Sequence, residues 1–512
     1  MVTYVAEGMP ADHVAAALAG AGFEVGPFRP VRRTLLDTFD GRLHAAGIRL
    51  EVREAGSAMT MVVRDRISPP AEAQVAGVPS TAGDLPTGPL RSRLAPLLEL
   101  RALLPTVGLD SSEAMASRRN DAQKVVATVV VHDRPALASG DAPFLPTAVE
   151  VVPYLGYARA ARQAEDLLRS VGLDQRDGDL LALAASQAGI DLRGFSGSPT
   201  VALDAAEPAL GGFRRVLANL ADTIDANWQG TVDDVDAEFL HDFRIAVRRT
   251  RAVLAHGKGV LPVDGRDHFR GQFRWLGDIT SPPRDLDVYL IEWPGYVQSL
   301  GADGAVALDP VAAHIRRRCR AAHATLSRQL RSGRYQGLTM AWRAWLGAPV
   351  DQAQQAKRST DPLGQAVARR LLEAQDRLLA RGRAIDASTA AEELHELRKD
   401  AKRLRYLLEC FGGLLPAAVR KPFVQRLKAL QDNLGEHQDT EVHSAYLTAL
   451  SLELQGRPEV TAQTLLAMGR LIELFERRRQ AAREDFAERF AAYDAKPTAR
   501  ALNELIDAAG TP

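Results

Sequence analysis

One basic pattern constrains this chain more than any other feature, because it occurs twice. His241, Arg244, Arg248 and Arg251 sit at offsets 0, 3, 7 and 10, and His395, Arg398, Lys402 and Arg405 repeat those offsets 154 residues later. On a helix turning about 100° per residue, four such positions fall within roughly 80° of the surface and along about 15 Å of axis. Phe243, Val247 and Leu254 in the first segment, and Leu397, Ala401 and Leu408 in the second, lie at an angle that makes each ribbon border a core face. Each ribbon is therefore expected to face a groove between helices, with Arg249 and Arg403 pointing elsewhere.

The duplication extends beyond the ribbons. At the same offset of 154, Arg215 matches Arg369, Arg274 matches Lys428, Leu276 matches Leu430, Asp278 matches Asp432 and Asp285 matches Asp439. From about residue 207 onward, apolar residues recur at spacings of three and four, as in amphipathic helices. The periodicity predicts helices over 207–227, 233–256, 264–280, 284–300, 307–332, 334–346, 361–384, 388–412, 416–433, 437–454, 460–491 and 497–509. They form an all-α bundle in two halves, 201–355 and 356–512. The first 155 residues instead carry short β-like runs at 31–38, 47–54, 58–64, 124–132 and 147–152. Ala55-Gly56-Ser57 marks a hairpin, and prolines fill a loop over 68–90. Helices over 157–171 and 177–189 follow, and Gly194–Pro199 reads as a linker. The fold class is α+β, with domains 1–195 and 196–512.

Composition excludes several classes. The chain has 64 Lys+Arg and 64 Asp+Glu, and neither part is a basic block. Residues 1–200 hold 20 basic and 23 acidic side chains, and the remainder 44 and 41. Long-range attraction to a polyanion is thus weak, and an anion site has to come from local patterning. Two cysteines, Cys319 and Cys410, form neither a disulfide framework nor a multi-cysteine metal site, and read as small buried residues. The first residues lack a basic leader segment and no long apolar run occurs, so no signal peptide and no membrane span are expected, and the expected location is the cytoplasm.

A basic helix face is most often solvated or paired with carboxylates one turn away. Recurrence in register and the lack of a facing acid in the first ribbon, where Asp242 turns away, argue for a ligand. Four like charges along a groove repel unless an anion neutralises them. Arginine forks and lysine point charges suit phosphate oxygens, and two facing ribbons suit a linear phosphate chain. Single-stranded nucleic acid would call for interleaved aromatics. Aromatics make up 6% of residues, and Tyr406 alone lies near a ribbon. Inorganic polyphosphate is therefore favoured over nucleic acid. His241-Asp242 is a poor metal motif, because the repeat carries His395-Glu396; no metal, cofactor or catalytic residue is expected. Arg316-Arg317-Arg318-Cys319-Arg320 spreads around a helix and reads as mainly solvated.

Leu240–Arg251 and Leu394–Tyr406 resemble the two signature helices of CHAD domains, and Phe273–Gly277, Arg284–Val288 and Leu427–Gly435 are similar to the segments that follow them. The likeness spans about 205–495. It implies two duplicated four-helix-bundle halves whose basic grooves bind inorganic polyphosphate, with association with polyphosphate granules. His241, Arg244, Arg248, Arg251, Arg274, His395, Arg398, Lys402, Arg405 and Lys428 would contact the chain, with Arg215 and Arg369 at the rim. The N-terminal part is similar to CYTH domains, through Leu36–Asp40, Leu43 and Gly47–Arg53, and implies an antiparallel β-barrel or sheet. It departs from that family where chemistry would sit. The first strand, Val2–Glu7, lacks the Glu-x-Glu-x-Lys pattern, Glu51 replaces one of two arginines and leaves Arg53, and Glu150 remains of a carboxylate pair whose other position is Val152. A degenerate domain without triphosphatase activity is expected. A metal-dependent triphosphatase and a nucleic-acid or protein scaffold stand as alternatives.

Overall fold

The structure, a computed structural model, describes residues 2–65, 70–138, 144–197, 201–349 and 356–510. Pro69 of the expected loop, Ser198 and Pro199 of the expected linker, and 351–355 at the expected boundary between the halves lie outside the described residues. Two compact units divide the chain at Ser196 and Gly197.

The first unit is built on ten strands: β1 (Val2–Ala6), β2 (Glu24–Val25), β3 (Arg29–Asp37), β4 (Arg49–Ala55), β5 (Ala58–Arg64), β6 (Ala71–Gln74), β7 (Leu104–Arg119), β8 (Val125–Leu137), β9 (Thr147–Pro153) and β10 (Asp174–Asp177). Their order is β10-β1-β9-β8-β7-β3-β4-β5-β6, every pairing is antiparallel, and β2 adds to β7. Helices α1 (Ala11–Gly20), α2 (Arg42–Ala45), α3 (Pro89–Leu98), α4 (Ala158–Ser170) and α5 (Leu180–Gln187) accompany the sheet. The turn between β4 and β5 is Gly56-Ser57, with Gly56 at φ 62°, as two-residue hairpins favour.

Alternation along the strands separates two chemistries. Ala127, Val129, Val131, Val149 and Val151 face Val14 and Leu18 of α1 and Ala161, Ala164 and Leu168 of α4. The intervening residues, among them His132 and Glu150, face the opposite side. Glu150 on β9 bonds to Arg33 on β3 at 2.8 Å, although three strand spacings separate them, roughly 14 Å in a flat sheet. The sheet therefore curls around its polar face. The sequence reading missed β7, the longest strand. Its run of Gly, Asp, Ser and Glu has little β-propensity and is held by pairing to both β3 and β8.

The second unit is helical: α6 (Ala209–Val232), α7 (Ala237–His256), α8 (Val263–Gln298), α9 (Gly301–Ala307), α10 (Asp309–Leu330), α11 (Gly333–Gly347), α12 (Leu363–Arg383), α13 (Ala391–Cys410), α14 (Ala417–Leu454), α15 (Ala462–Tyr493) and α16 (Lys496–Gly510). The first residues of α12, α13 and α14 follow those of α6, α7 and α8 by 154 positions each. Each half is a four-helix unit extended by one further helix, α11 or α16, and the first half also carries the short α9. Asp236 caps α7 through the Glu238 and Phe239 amides.

A reciprocal backbone crossing relates the halves. Ala209 N donates to Asp361 O and Leu363 N to Glu207 O, at 2.9 and 2.8 Å. Leu210 N donates to Ser359 O and Gly364 N to Ala205 O, both at 3.0 Å. Each bond is the other's image under the 154-residue offset, so a pseudo-twofold axis passes between Pro208 and Pro362, which form an isolated bridge. One core then spans both halves, with Phe213, Phe243 and Phe273 of the first beside Leu371, Leu397 and Phe423 of the second.

The sequence reading broke the third helix of each half, at Pro282-Pro283 and near Gly435. The structure instead carries α8 and α14 through, over 36 and 38 residues. Both are clamped at two ends. Phe273, Leu276, Leu427 and Leu430 lie in the shared core, and Tyr289, Trp293, Leu447 and Leu450 lie in a second core with α10 and α15. Burial at both ends outweighs the cost of proline inside a helix, about 3 kcal/mol.

The crossing has no room for side chains at Gly364, where a Cβ would run into the Ala509 carbonyl oxygen. Gly364→Ala is expected to lower stability by about 1–3 kcal/mol, whereas Gly211→Ala, one turn into exposed space, leaves the midpoint of thermal unfolding essentially unchanged; melting curves of the two variants check this.

Candidate anion-binding site

α7 and α13 carry the two ribbons and pack through Leu240, Phe243, Val247 and Leu254 on one side and Leu394, Leu397, Ala401 and Leu404 on the other. With these apolar rows buried, the neighbouring basic rows meet at the seam. The Arg248 guanidinium of the first half acts directly on the Lys402 ammonium of the second, and Arg251 lies within the field of Arg403. Arg249, expected to point away, does so into the other half: it holds Glu409 at 2.7 Å.

The twelve expected residues divide by what they touch. Arg248, Arg251, Arg274, Lys402 and Lys428 make no hydrogen bond or ion pair among the described residues, and Arg248, Arg274 and Lys428 are exposed. Four others are partly engaged. His395 Nδ1 lies 2.6 Å from Gln438 Oε1, Arg398 Nη2 is 3.1 Å from the Asp439 carboxylate, and Arg405 Nε is 3.4 Å from Glu409. His241 is half-buried and also has an interaction partner. Arg215 and Arg369, expected at the rim, are tied to Glu207 at 2.7 Å and Asp361 at 3.6 Å. Those acids flank the backbone crossing and correspond under the repeat, so both pairs brace the junction of the halves.

Arg244 is a different case. It is 5% exposed, and its Nη1 donates to Thr280 Oγ1, Ser281 Oγ and Gly277 O at 2.9, 3.0 and 3.3 Å. In the second half, Leu434 and Gly435 occupy the positions of Thr280 and Ser281 and offer no hydroxyl, so Arg398 turns to Asp439 instead. Gly277 makes space for Arg251, whose guanidinium lies where a Cβ would project.

Acids come to the seam from the third helices, which local sequence around the ribbons did not show. Asp285 and Asp439, repeat equivalents, act on Arg244, Arg248 and Lys402. They do not cancel the cationic field. Burial first, then Arg398 and Arg248, pull the Lys402 ammonium down to about 7. Burial followed by Arg248 brings Arg244 to about 10. Arg251 is also lowered, by burial, with Asp278 opposing and Arg274 and Arg248 adding to the effect. Uncompensated positive charge of this kind is relieved by an anion. Tyr406 is buried, with the Arg405 guanidinium 5.7 Å from its ring centroid, and offers no stacking face. In the other basic run, Arg316, Arg317, Arg318 and Arg320 are exposed and Cys319 is buried.

The polar face of the sheet holds a second cluster of ionisable groups. Arg33, 1% exposed, donates to Glu51 at 2.7 Å and to Glu150 at 2.8 Å. Arg53 and Arg64 bond to the other Glu51 oxygen, Arg53 at 2.9 Å. His132 bridges Glu113 and Glu150, both at 3.2 Å. Burial raises the Glu51 pKa, but Arg33, Arg64 and Arg53 outweigh it and hold the carboxyl at about 2. Glu150 lies well below the usual range, chiefly because Arg33 and His132 overcome its burial. For His132 burial acts downward, and the bonds to Glu113 and Glu150 prevail and raise it.

These placements separate scaffold cations from free ones. Arg244→Ala is expected to cost about 1–3 kcal/mol through the hydrogen bonds lost to Thr280, Ser281 and Gly277 and the space left behind. Arg248→Ala costs nothing in stability and moves the Lys402 pKa upward; denaturant unfolding and NMR titration of the lysine read the two effects.

The CHAD domain family model matches residues 215–448. No curated protein sequence matches the chain. The crystal structure of the CHAD domain from the plant Ricinus communis is similar at 24% identity and TM-score 0.48, over 59% of this chain and 97% of that one. PptA from Streptomyces chartreusis is similar at 18% identity and TM-score 0.44, over 55% and 99%. Neighbours of the N-terminal part are CYTH-fold proteins, among them a putative adenylyl cyclase from Hippeastrum described as having a dominant triphosphatase activity, at 12% identity and TM-score 0.27, over 37% and 95%. No helix among the described residues is long and apolar enough to cross a membrane. The helical unit of this chain, matched over residues 215–448, is a CHAD domain.

Proposed function

We propose that the helical unit is a non-catalytic receptor for inorganic polyphosphate, laid along the seam of α7 and α13. The observation that carries this reading is the action of Arg248 on Lys402 with, among the described residues, no carboxylate in ion-pair contact with either. Arg251, Arg274 and Lys428 extend the same free charge, and His241, His395, Arg398 and Arg405 stand beside it. A linear chain of phosphates offers one anionic centre after another, matching cations spread along two helices better than a compact anion would. Nucleic acid fits less well, since binding a single strand draws on stacking and the seam presents no exposed aromatic among the described residues. Arg398 would exchange Asp439 for phosphate, which lowers the affinity that its charge could otherwise supply.

Binding is expected to weaken at least tenfold in Arg248→Glu/Lys402→Glu, both free side chains, while circular dichroism stays that of the wild type. Gel retardation of long-chain polyphosphate is the measurement, and unchanged retention rejects the seam. Single-stranded DNA at matched phosphate concentration and salt should compete poorly; equal competition favours a general polyanion scaffold.

Proton linkage gives a second expectation. Lys402 is partly neutral at pH 7, and a bound polyanion favours its charged form, so binding takes up a proton. Affinity should therefore rise as pH falls from 8 to 6, by up to about tenfold per unit of pKa restored. Isothermal titration across this range checks the slope, and Lys402→Arg should flatten it.

For the N-terminal unit we infer a non-catalytic role. Glu51, Glu113 and Glu150, the carboxylates that a divalent ion would need, are each engaged by arginine or histidine, and an incoming metal would have to displace those cations. Tripolyphosphate with magnesium or manganese should release no phosphate above background. Turnover that is lost in Glu150→Gln would establish the triphosphatase reading instead.

A further inference from the structure

A cluster of metal-ligand type lies away from the basic seam, on the first half alone. Cys319 and His323, four residues apart on α10, share one helix face. Both meet Asp287 of α8: Cys319 Sγ lies 3.2 Å from Asp287 Oδ1, and His323 Nε2 lies 2.8 Å from the same oxygen. One ligand atom from each of the three side chains falls within 4.8 Å of the other two, and all three residues are buried. The other imidazole nitrogen, His323 Nδ1, lies 2.9 Å from an Asp234 carboxylate oxygen in the loop between α6 and α7. Outer carboxylates stand in this place behind metal-bound histidines.

Hydrogen bonding alone leaves this cluster incomplete. Asp287 is 8% exposed, yet its Oδ2 has no hydrogen-bond partner. An unsatisfied buried carboxylate oxygen is costly, about 1–3 kcal/mol or more. Two carboxylates and a thiol around one imidazole also converge more negative capacity than that imidazole can balance. Nor does the duplicated frame itself require the set: at the repeat offset on the third helices, Asp287 corresponds to Glu441. Asp234 is half-exposed, which places one side of the cluster near solvent and gives an ion a path in.

We propose that Asp287, Cys319 and His323 bind a divalent transition-metal ion of the zinc type, with Asp234 as the positioning residue behind His323. Sulfur, nitrogen and oxygen donors together select such an ion over magnesium or calcium, which prefer all-oxygen shells. At bond lengths of about 2.0–2.3 Å, tetrahedral ligands lie somewhat over 3 Å apart, so the two separations from Asp287, 3.2 and 2.8 Å, need to open by less than about an ångström. Binding releases the thiol proton and leaves the fourth position to water. The ion would pin α10 to α8 behind the seam. No short motif such as His241-Asp242 marks these ligands; they are scattered over the chain and come together through helix packing.

The test uses the full chain stripped with a chelator and titrated with cobalt(II) as the probe. Wild type and Cys410→Ala, in which Cys319 is the one remaining thiol, are expected to bind one equivalent and develop a thiolate-to-cobalt charge-transfer band. Folded Cys319→Ser and His323→Ala should lose the band, and Asp234→Asn should bind about 10–100-fold more weakly. X-ray absorption of the cobalt-loaded wild type, which depends on no variant, should show one sulfur and one imidazole ligand. Absence of the band in folded wild type, its persistence in Cys319→Ser, or a shell without sulfur would overturn the proposal.

Discussion

The backbone crossing at Pro208 and Pro362 is the constraint from which the helical unit follows. Its four reciprocal hydrogen bonds fix one strand of connection against its own repeat, and they leave no freedom to slide, because a shift by one residue would strand buried donors. Once the crossing is set, α6 and α12 begin side by side and α7 and α13 are brought face to face. The meeting of the cationic rows is thus a consequence of twofold symmetry: any charge placed on one helix is met by its own copy. Glu207–Arg215 and Asp361–Arg369 reinforce the same axis.

Symmetry at the backbone does not carry through to the side chains. Arg244 is absorbed by Thr280 and Ser281, whereas its counterpart Arg398 faces Leu434 and Gly435 and takes Asp439. Arg248 is exposed, whereas its counterpart Lys402 is half-buried. One half thus presents a fixed guanidinium and an exposed one, and the other a lightly tethered arginine and a lysine whose charge depends on its surroundings. Duplication supplied two equal frames, and the third helices tuned them separately.

What the sequence revealed, and what it concealed, follows from the range of the interactions. The 154-residue offset, the ribbons and the position of most helices of the second unit are legible because they rest on local periodicity. The turn at Gly56-Ser57 is legible for the same reason, whereas α1 and α3 of the first unit are not. By contrast, β7 owes its existence to two neighbouring strands, and the continuity of α8 through Pro282 and Pro283 owes to cores at both its ends. Asp439 lies 41 residues from Arg398, and Glu150 lies 117 from Arg33. No spacing rule connects such partners. Arg215 and Arg369 are legible as equivalents, but their pairing with Glu207 and Asp361 is not, since nothing in the local sequence marks those segments as a junction.

The buried knot on the sheet's polar face also limits how this unit can change. Glu51 answers to Arg33, Arg53 and Arg64 at once, and Glu150 to Arg33 and His132. Neutralising any one member strands a charge in a dry interior, where it has no solvent to turn to. Substitutions here are therefore tolerable mainly in compensating sets, and lineages that carry this arrangement should drift along coupled trajectories at positions 33, 51, 53, 64, 132 and 150 while the exposed strands vary independently.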